Sequence, residues 1–292
     1  MKNQKANMEH KVKIIECPRD AMQGIKSFIP TERKIAYINS LLEVGFDTID
    51  AGSFVSPHVI PQMADTALVL SKLNWSPEKS KLLAIIANVR GAREAAMFDQ
   101  ISFLGFPFSV SETFQQRNTN ASMEQSFVRV EEIQNLCIKF KKQLVIYISM
   151  GFGNPYGDEW SPEIVIQWVE KMIGLEVRII SLADTIGVAD PKSISGLFRD
   201  LIPSFPATEF GTHLHTTPES WREKTEAAFK NGCRRFDGAI KGYGGCPMSA
   251  DELKGNMPTE NLVAFFEEKN FSTGISKTFF NKAMNEAVKV FD

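Results

Sequence analysis

Eight short apolar runs rich in β-branched residues recur along the chain: VKIIEC from Val12, TIDAGS from Thr48, KLLAIIA from Lys81, QISFLGF from Gln100, LVIYISM from Leu144, VRIISLAD from Val177, EFGTHLH from Glu209 and RRFDGAI from Arg234. Between most of them, apolar residues return at helical spacing, over 31–44, 123–141, 162–173, 191–202 and 218–231, with 88–99 the one short stretch available to the third unit. Pro30-Thr31, Ser161-Pro162-Glu163, Asp190-Pro191 and Thr217-Pro218-Glu219 stand where helix caps and first turns belong. Near-continuous apolar strands alternating with amphipathic helices require a parallel sheet covered by helices. Eight such units predict a closed (β/α)8 TIM barrel in the α/β class. Extra C-terminal helices follow, one starting near Thr259 and one over 276–291. The expected organisation is a disordered tail over 1–11 and a single barrel domain over 12–292, its helical extension beginning at about 259. In such a barrel, catalytic groups belong at the C-terminal ends of strands and in the loops after them.

With 292 residues, 43% of them hydrophobic, the chain can bury one substantial core. A net charge of −2 lacks the basic footprint of a nucleic-acid binder, so a small-molecule partner is expected. The four cysteines, at 17, 137, 233 and 246, form no C-x-x-C pair and no dense framework, which indicates free thiols in a reducing compartment. The polar opening MKNQKANMEHK has no apolar signal region, and no apolar run approaches a membrane span of about 18 residues. A cytoplasmic protein with no membrane partner is expected.

The chemistry-bearing residues cluster at the ends of these strands. His213 and His215 are two apart in Thr-His-Leu-His, and strand residues at i and i+2 share a face, so both imidazoles can converge on one ion. Arg19 and Asp20, in Cys-Pro-Arg-Asp, close the first strand. Asp20 can add a hard oxygen ligand, and Arg19 a fixed cation for an oxyanion that develops during reaction. After the eighth strand, Gly242-Tyr-Gly-Gly-Cys-Pro holds Cys246 among glycines, where a thiol can exchange protons or attack a carbonyl. Asp50 and Ser53 end the second strand, Asp184 and Thr185 the sixth, and 151–158 forms a Gly/Pro-rich loop after the fifth. Each of these can equally be a helix cap or a turn residue.

These segments resemble the 3-hydroxy-3-methylglutaryl-CoA lyases, within a larger group of metal-dependent barrel lyases and Claisen-type synthases. The resemblance runs through Pro-Arg-Asp-x-x-Gln at 18–23, Ser-Phe-Val-Ser-Pro at 53–57 with Pro-Gln-Met at 61–63, and Asn-Pro-Tyr-Gly at 154–157. It continues through Asp-Thr-Ile-Gly-Val at 184–188, His-Leu-His at 213–215 and Gly-Gly-Cys-Pro at 244–247. It implies ligation of Mg²⁺ or Mn²⁺ by Asp20, His213, His215 and Asn256, zinc being compatible with the same ligand types. It also implies a catalytic set of Arg19, Asp20, His213 and Cys246, with Arg19 stabilising an enolate and Cys246 transferring a proton. Arg19, Gln23, Asp50, Ser53, Asp184 and Thr185 become the residues that contact an acyl-CoA thioester. Cleavage to acetyl-CoA and acetoacetate, by a homodimer, is the implied activity.

The chain departs from the family pattern at named positions. Thr216 follows the second histidine where an aspartate is usual, Asp50 replaces a glutamate, Cys17 and Ala21 replace glycines, and the segment from Cys246 to Asn256 is one residue longer. Two other readings fit the same residues: an aldolase or Claisen condensing enzyme acting on a 2-oxo acid, and a barrel that binds metal or a CoA ester without turnover.

Overall fold

The computed structural model describes residues 11–245 and 254–291. Eight parallel strands are β1 Lys13–Glu16, β2 Thr48–Ser53, β3 Lys81–Ile85, β4 Ile101–Ser109, β5 Gln143–Ser149, β6 Ile179–Asp184, β7 Glu209–Thr216 and β8 Arg235–Gly238. Each pairs with the next, and β1 pairs with β8 in the register Lys13↔Arg235 to Glu16↔Gly238, so the sheet closes on itself. The expected TIM barrel is the fold observed, and each of the eight apolar runs overlaps a barrel strand, β4 extending past its run to Ser109.

The helices, in chain order, are α1 Pro18–Gln23, α2 Thr31–Leu42, α3 Thr66–Ser71, α4 Val89–Ala96, α5 Glu112–Thr119, α6 Met123–Lys139 and α7 Pro162–Gly174. They continue with α8 Pro191–Ser204, α9 Trp221–Lys230, α10 Thr259–Glu268 and α11 Lys277–Phe291. Ser161 caps α7 by accepting from Ile164 N–H, and Asp190 caps α8 in a reciprocal box with Ser193, as the sequence signals require. The signal at Thr217 works differently. Thr217 and Ser220 exchange hydrogen bonds within one turn, Ser220 takes the cap position, and α9 starts only at Trp221.

The main core, built from residues such as Ile14, Ile38, Phe106, Phe198 and Phe266, fills the space between strands and helices. A smaller apolar cluster of Leu83, Ile85, Phe103, Val145, Tyr147 and Ile179 lies inside the barrel. Toward the N-terminal end of the strands, Lys13 donates to Glu209 at 2.5 Å, and Arg235 reaches the same carboxylate at 3.4 Å. Gly211 makes room for that arginine, because a Cβ there would stand 2.9 Å from Arg235 Cδ. Of the tail expected to be disordered, residues 1–10 lie outside the described residues, and Lys11 forms an isolated parallel bridge with Ser272.

A short strand, β9 Gly255–Asn256, runs antiparallel to β7 with His215 opposite Asn256. The chain leading into and out of this region is tied down by Glu16, which is fully buried. Its carboxylate accepts from Ile240 N–H at 2.9 Å and from the Thr259 hydroxyl at 2.6 Å, joining β1 to the segment after β8 and to the start of α10.

Burial pushes the Glu16 carboxyl up to about 8 from its usual 4.5, against the lowering effect of those two hydrogen bonds. The folded state therefore binds the Glu16 proton more tightly than the unfolded one. The stability linked to this group is complete below about 4.5 and is lost as pH rises through about 8. Urea unfolding of the native chain and of Glu16→Gln should show a stability difference that changes between those two pH values, the glutamine variant lacking the decline. Parallel pH profiles would contradict the assignment.

Candidate active site

β1 ends at Glu16, and Pro18 occupies the first turn of α1, so Arg19 and Asp20 sit in a helical turn over the barrel mouth. The expectation that they close the strand is corrected by this placement. The missing N–H of proline and its fixed φ favour a helix start there over a longer strand. The helical spacing brings Gln23 back onto both residues: Arg19 Nη1 donates to Gln23 Oε1 at 2.8 Å, and Gln23 Nε2 donates to Asp20 Oδ1 at 3.0 Å.

Arg19 is the hub of this network. Its Nη1 also donates to Asp20 Oδ1 at 2.9 Å, while Nε and Nη2 both donate to Asp50 Oδ2, at 3.0 and 2.6 Å. Four of the five guanidinium N–H groups are thus engaged, and one on Nη2 is left for a ligand. Asp50 sits within β2 and is 1% exposed, and its Oδ1 has no hydrogen-bond partner. Burial pushes the Asp50 carboxyl up to about 6, against the pull of Arg19. Asp20 behaves in the opposite way. Burial raises it, but Arg19, then His213 and His215, outweigh burial and hold it near about 2, so Asp20 is an anion at neutral pH.

His213 and His215 converge on Asp20 from β7, and the three offer donor atoms that all lie within 4.8 Å of one another. Each ring is oriented through Nδ1, that of His213 lying 3.2 Å from Asp237 Oδ2 and that of His215 3.0 Å from the Thr185 carbonyl. Burial lowers the pKa of both rings; hydrogen bonding to Asp237 and the charge on Asp20 reverse this for His213, whereas the neighbouring His213 adds to it for His215. Asn256, opposite His215, donates to Asp20 Oδ2 at 2.8 Å and to the Tyr243 carbonyl at 2.9 Å. One ionised carboxylate and two imidazoles at this separation fit a divalent cation.

A cavity of about 280 Å³ opens over this cluster. Arg19, Asp20, Gln23, Asp50, Thr185, His213 and His215 line its polar side, and Val55, Val59, Ile60, Ile85, Pro107 and Phe114 its apolar side. Two expected contact residues are placed elsewhere. Ser53 accepts from Val55 N–H at 3.2 Å and shapes the turn after β2 without lining the cavity. Asp184 alternates with Ala183 and Thr185, which do line it. Its carboxylate accepts from Lys224 Nζ at 2.8 Å and from Ala189 N–H at 3.0 Å. Lys224 also donates to the His215 carbonyl at 2.9 Å, so this buried pair supports the strand that presents the histidines. Cys246 lies outside the described residues; Gly245, which precedes it, lines the cavity.

Three residues of the site had no weight in the sequence reading: Asp237, Tyr147 and Lys224. Asp237 was within reach, because it shares the barrel-facing period of β8 with Arg235.

A TIM barrel with a carboxylate and two histidines gathered at its mouth beside a buried arginine has the arrangement of the barrel enzymes, whose chemistry sits at the C-terminal ends of the strands. Within that class the chain belongs to the HMGL-like family, whose model matches residues 11–286. It is 34% identical over 268 residues to the mitochondrial hydroxymethylglutaryl-CoA lyase of Mus musculus, covering 91% of this chain and 81% of that one. It is 30% identical over 276 residues to the cytoplasmic 3-hydroxy-3-methylglutaryl-CoA lyase of Rattus norvegicus, covering 94% and 79%. An HMG-CoA lyase of Acinetobacter baumannii, solved with coenzyme A and 3-methylmalate, superposes with a TM-score of 0.88 at 30% identity, over 97% of this chain and 92% of that one.

Lys224→Met leaves the Asp184 carboxylate buried without its cation and should lower unfolding free energy by ~3–5 kcal/mol. The double variant with Asp184→Asn should recover most of that loss in the same urea titration. A single-variant loss under about 1 kcal/mol, the range of exposed pairs, would show that the pair is not structurally important.

Proposed function

We propose that this chain is a divalent-cation-dependent carbon–carbon lyase that cleaves 3-hydroxy-3-methylglutaryl-CoA, or a closely related 3-hydroxyacyl-CoA, to acetyl-CoA and a 3-oxo acid, acetoacetate in the first case. The observation that carries this reading is the joint presence of the Asp20–His213–His215 donor set and the one uncommitted Arg19 N–H in one half-apolar cavity. Its lyase relatives, and the coenzyme A in the solved structure of one of them, support an acyl-CoA substrate.

In the proposed site Asp20, His213 and His215 would hold the cation, Mg²⁺ or Mn²⁺, and Asn256 on β9 could add its side-chain oxygen as a fourth ligand. A bound cation would supply Lewis acidity that makes the substrate's C3 hydroxyl easier to deprotonate, its proton passing to solvent water at the cavity mouth. Arg19 meets the thioester oxygen, where negative charge collects as the C2–C3 bond breaks and its electron pair becomes an enolate. Asp20, Gln23 and Asp50 fix that guanidinium before the substrate arrives, so little reorganisation is needed in the transition state. Cys246 then delivers its thiol proton to the enolate carbon, completing acetyl-CoA. The apolar wall of Val55, Ile60 and Phe114 keeps competing water away from that carbon.

The relatives carry both mitochondrial and cytoplasmic names, and no described helix is long and apolar enough to cross a membrane. A cytoplasmic homodimer is retained as part of the proposal. Sedimentation at about twice the chain mass would support the dimer.

Purified protein supplied with HMG-CoA and Mn²⁺ should release acetoacetate, and absence of release under every divalent cation tried would overturn the substrate assignment. Asp20→Ala should lose both bound Mn²⁺ and turnover. Arg19→Met should weaken Mn²⁺ binding and, with Mn²⁺ supplied at saturation, lower kcat by roughly 10²–10³, as for other lost oxyanion donors. An Arg19→Met enzyme with near-native kcat would remove Arg19 from the mechanism.

A further inference from the structure

His213 has two ring nitrogens, and the barrel gives them different surroundings. Nε2 stands 4.0 Å from Asp20 Oδ2 on the cavity side, while Nδ1 stands 3.2 Å from Asp237 Oδ2. Cys17, in the turn between β1 and α1, completes a second group. Cys17, His213 and Asp237 each offer a donor atom, and these atoms all lie within 4.8 Å of one another. Cys17 is 1% exposed and Asp237 3%.

Two further observations separate this group from ordinary packing. Asp237 Oδ1 is buried with no hydrogen-bond partner, and the buried Arg235, whose charge is coupled to this carboxylate, leaves its own Nε and Nη2 unpartnered instead of bonding that oxygen. The Cys17 thiol donates to the Ile15 carbonyl at 3.7 Å, a bond that thiolate formation would give up, and its sulfur lone pairs remain available. Donor chemistry also distinguishes the two groups. Asp20, His213 and His215 contain no sulfur and suit a hard or intermediate cation, whereas thiol, imidazole and carboxylate together favour Zn²⁺ or Co²⁺ over Mg²⁺.

The geometry points to a second, thiolate-bearing divalent-cation site formed by Cys17, His213 and Asp237, selective for Zn²⁺ or Co²⁺ and sharing His213 with the Asp20 group. On binding to the metal-free protein, the Cys17 S–H bond breaks and its proton leaves to the buffer; where His213 Nε2 already holds the Asp20 cation, the Nδ1–H proton leaves with it and the ring bridges the two cations as imidazolate. A sulfur–metal bond replaces the S–H bond, and the Asp237 carboxylate balances the remaining charge. No change in oxidation state is involved. The inference touches the proposed lyase site only through His213.

The test is a Co²⁺ titration of the metal-free full chain under anaerobic conditions, read by absorption. The native protein should develop a thiolate-to-Co²⁺ charge-transfer band in the near ultraviolet. Cys17→Ser and Cys17→Ala should lose the band while still binding Mn²⁺ as read by electron paramagnetic resonance. In the native protein, zinc K-edge absorption should show one sulfur near ~2.3 Å, a readout that depends on no variant. Co²⁺ binding without the band would overturn the site. So would a band that survives Cys17→Ser but disappears in Cys246→Ser, which assigns the thiolate to Cys246. Asp20-dependent Mn²⁺ binding without any charge-transfer band removes this second site alone. A charge-transfer band without Asp20-dependent Mn²⁺ binding removes only the cation assignment made for the lyase reaction.

Discussion

The buried guanidinium of Arg19 is the interaction on which the rest of the site depends. It bonds Asp50 through Nε and Nη2 and Asp20 through Nη1, and so places two carboxylates within one barrel mouth without leaving both uncompensated. Without that cation, Asp20 would face burial and a second acid together, and its carboxyl would be driven up. With it, Asp20 is held near about 2 and stays charged where the two histidines need an anion. Together with the bond to Gln23, these bonds engage four of the arginine's N–H groups and leave the fifth without a partner among the described residues, so structure and electrostatics are set by a single side chain.

Around that centre, the fold supplies rigidity at two levels. Strand β7 delivers His213 and His215 on one face, and β9 lays Asn256 beside them by ladder pairing rather than by a loop of independent conformation. Behind them, Asp237 and the Thr185 carbonyl orient the rings, while Lys224 joins the His215 backbone to Asp184. The Glu16 carboxyl performs the equivalent service for the segment after β8 and the start of α10, through Ile240 and Thr259.

The barrel was legible because its strands are buried on both faces and so appear as apolar runs, and because α7 and α8 start at their own caps, Ser161 and Asp190. The pair His213 and His215 was legible for a related reason: a period of two is a local property of a strand. Residues whose position depends on a distant partner were harder to read. Asp184 ends a strand, yet it turns to Lys224, 40 residues onward, and no local pattern ranks that ion pair above a cavity-facing position. Ser53 resembles a ligand contact for the same reason and is consumed by the adjacent turn. Arg19 and Asp20 were recognised by type, but the short helix that brings Gln23 onto both of them is only six residues long, too short for periodicity to reveal.

The central claim is that Asp20, His213 and His215 hold one divalent cation at the barrel mouth. Electron spin-echo measurements on the Mn²⁺-loaded protein, with histidine carrying ¹⁵N, test it most directly. The account predicts two directly coordinated imidazole nitrogens, falling to one in His215→Ala. Mn²⁺ bound with no histidine nitrogen in its coordination sphere would contradict it.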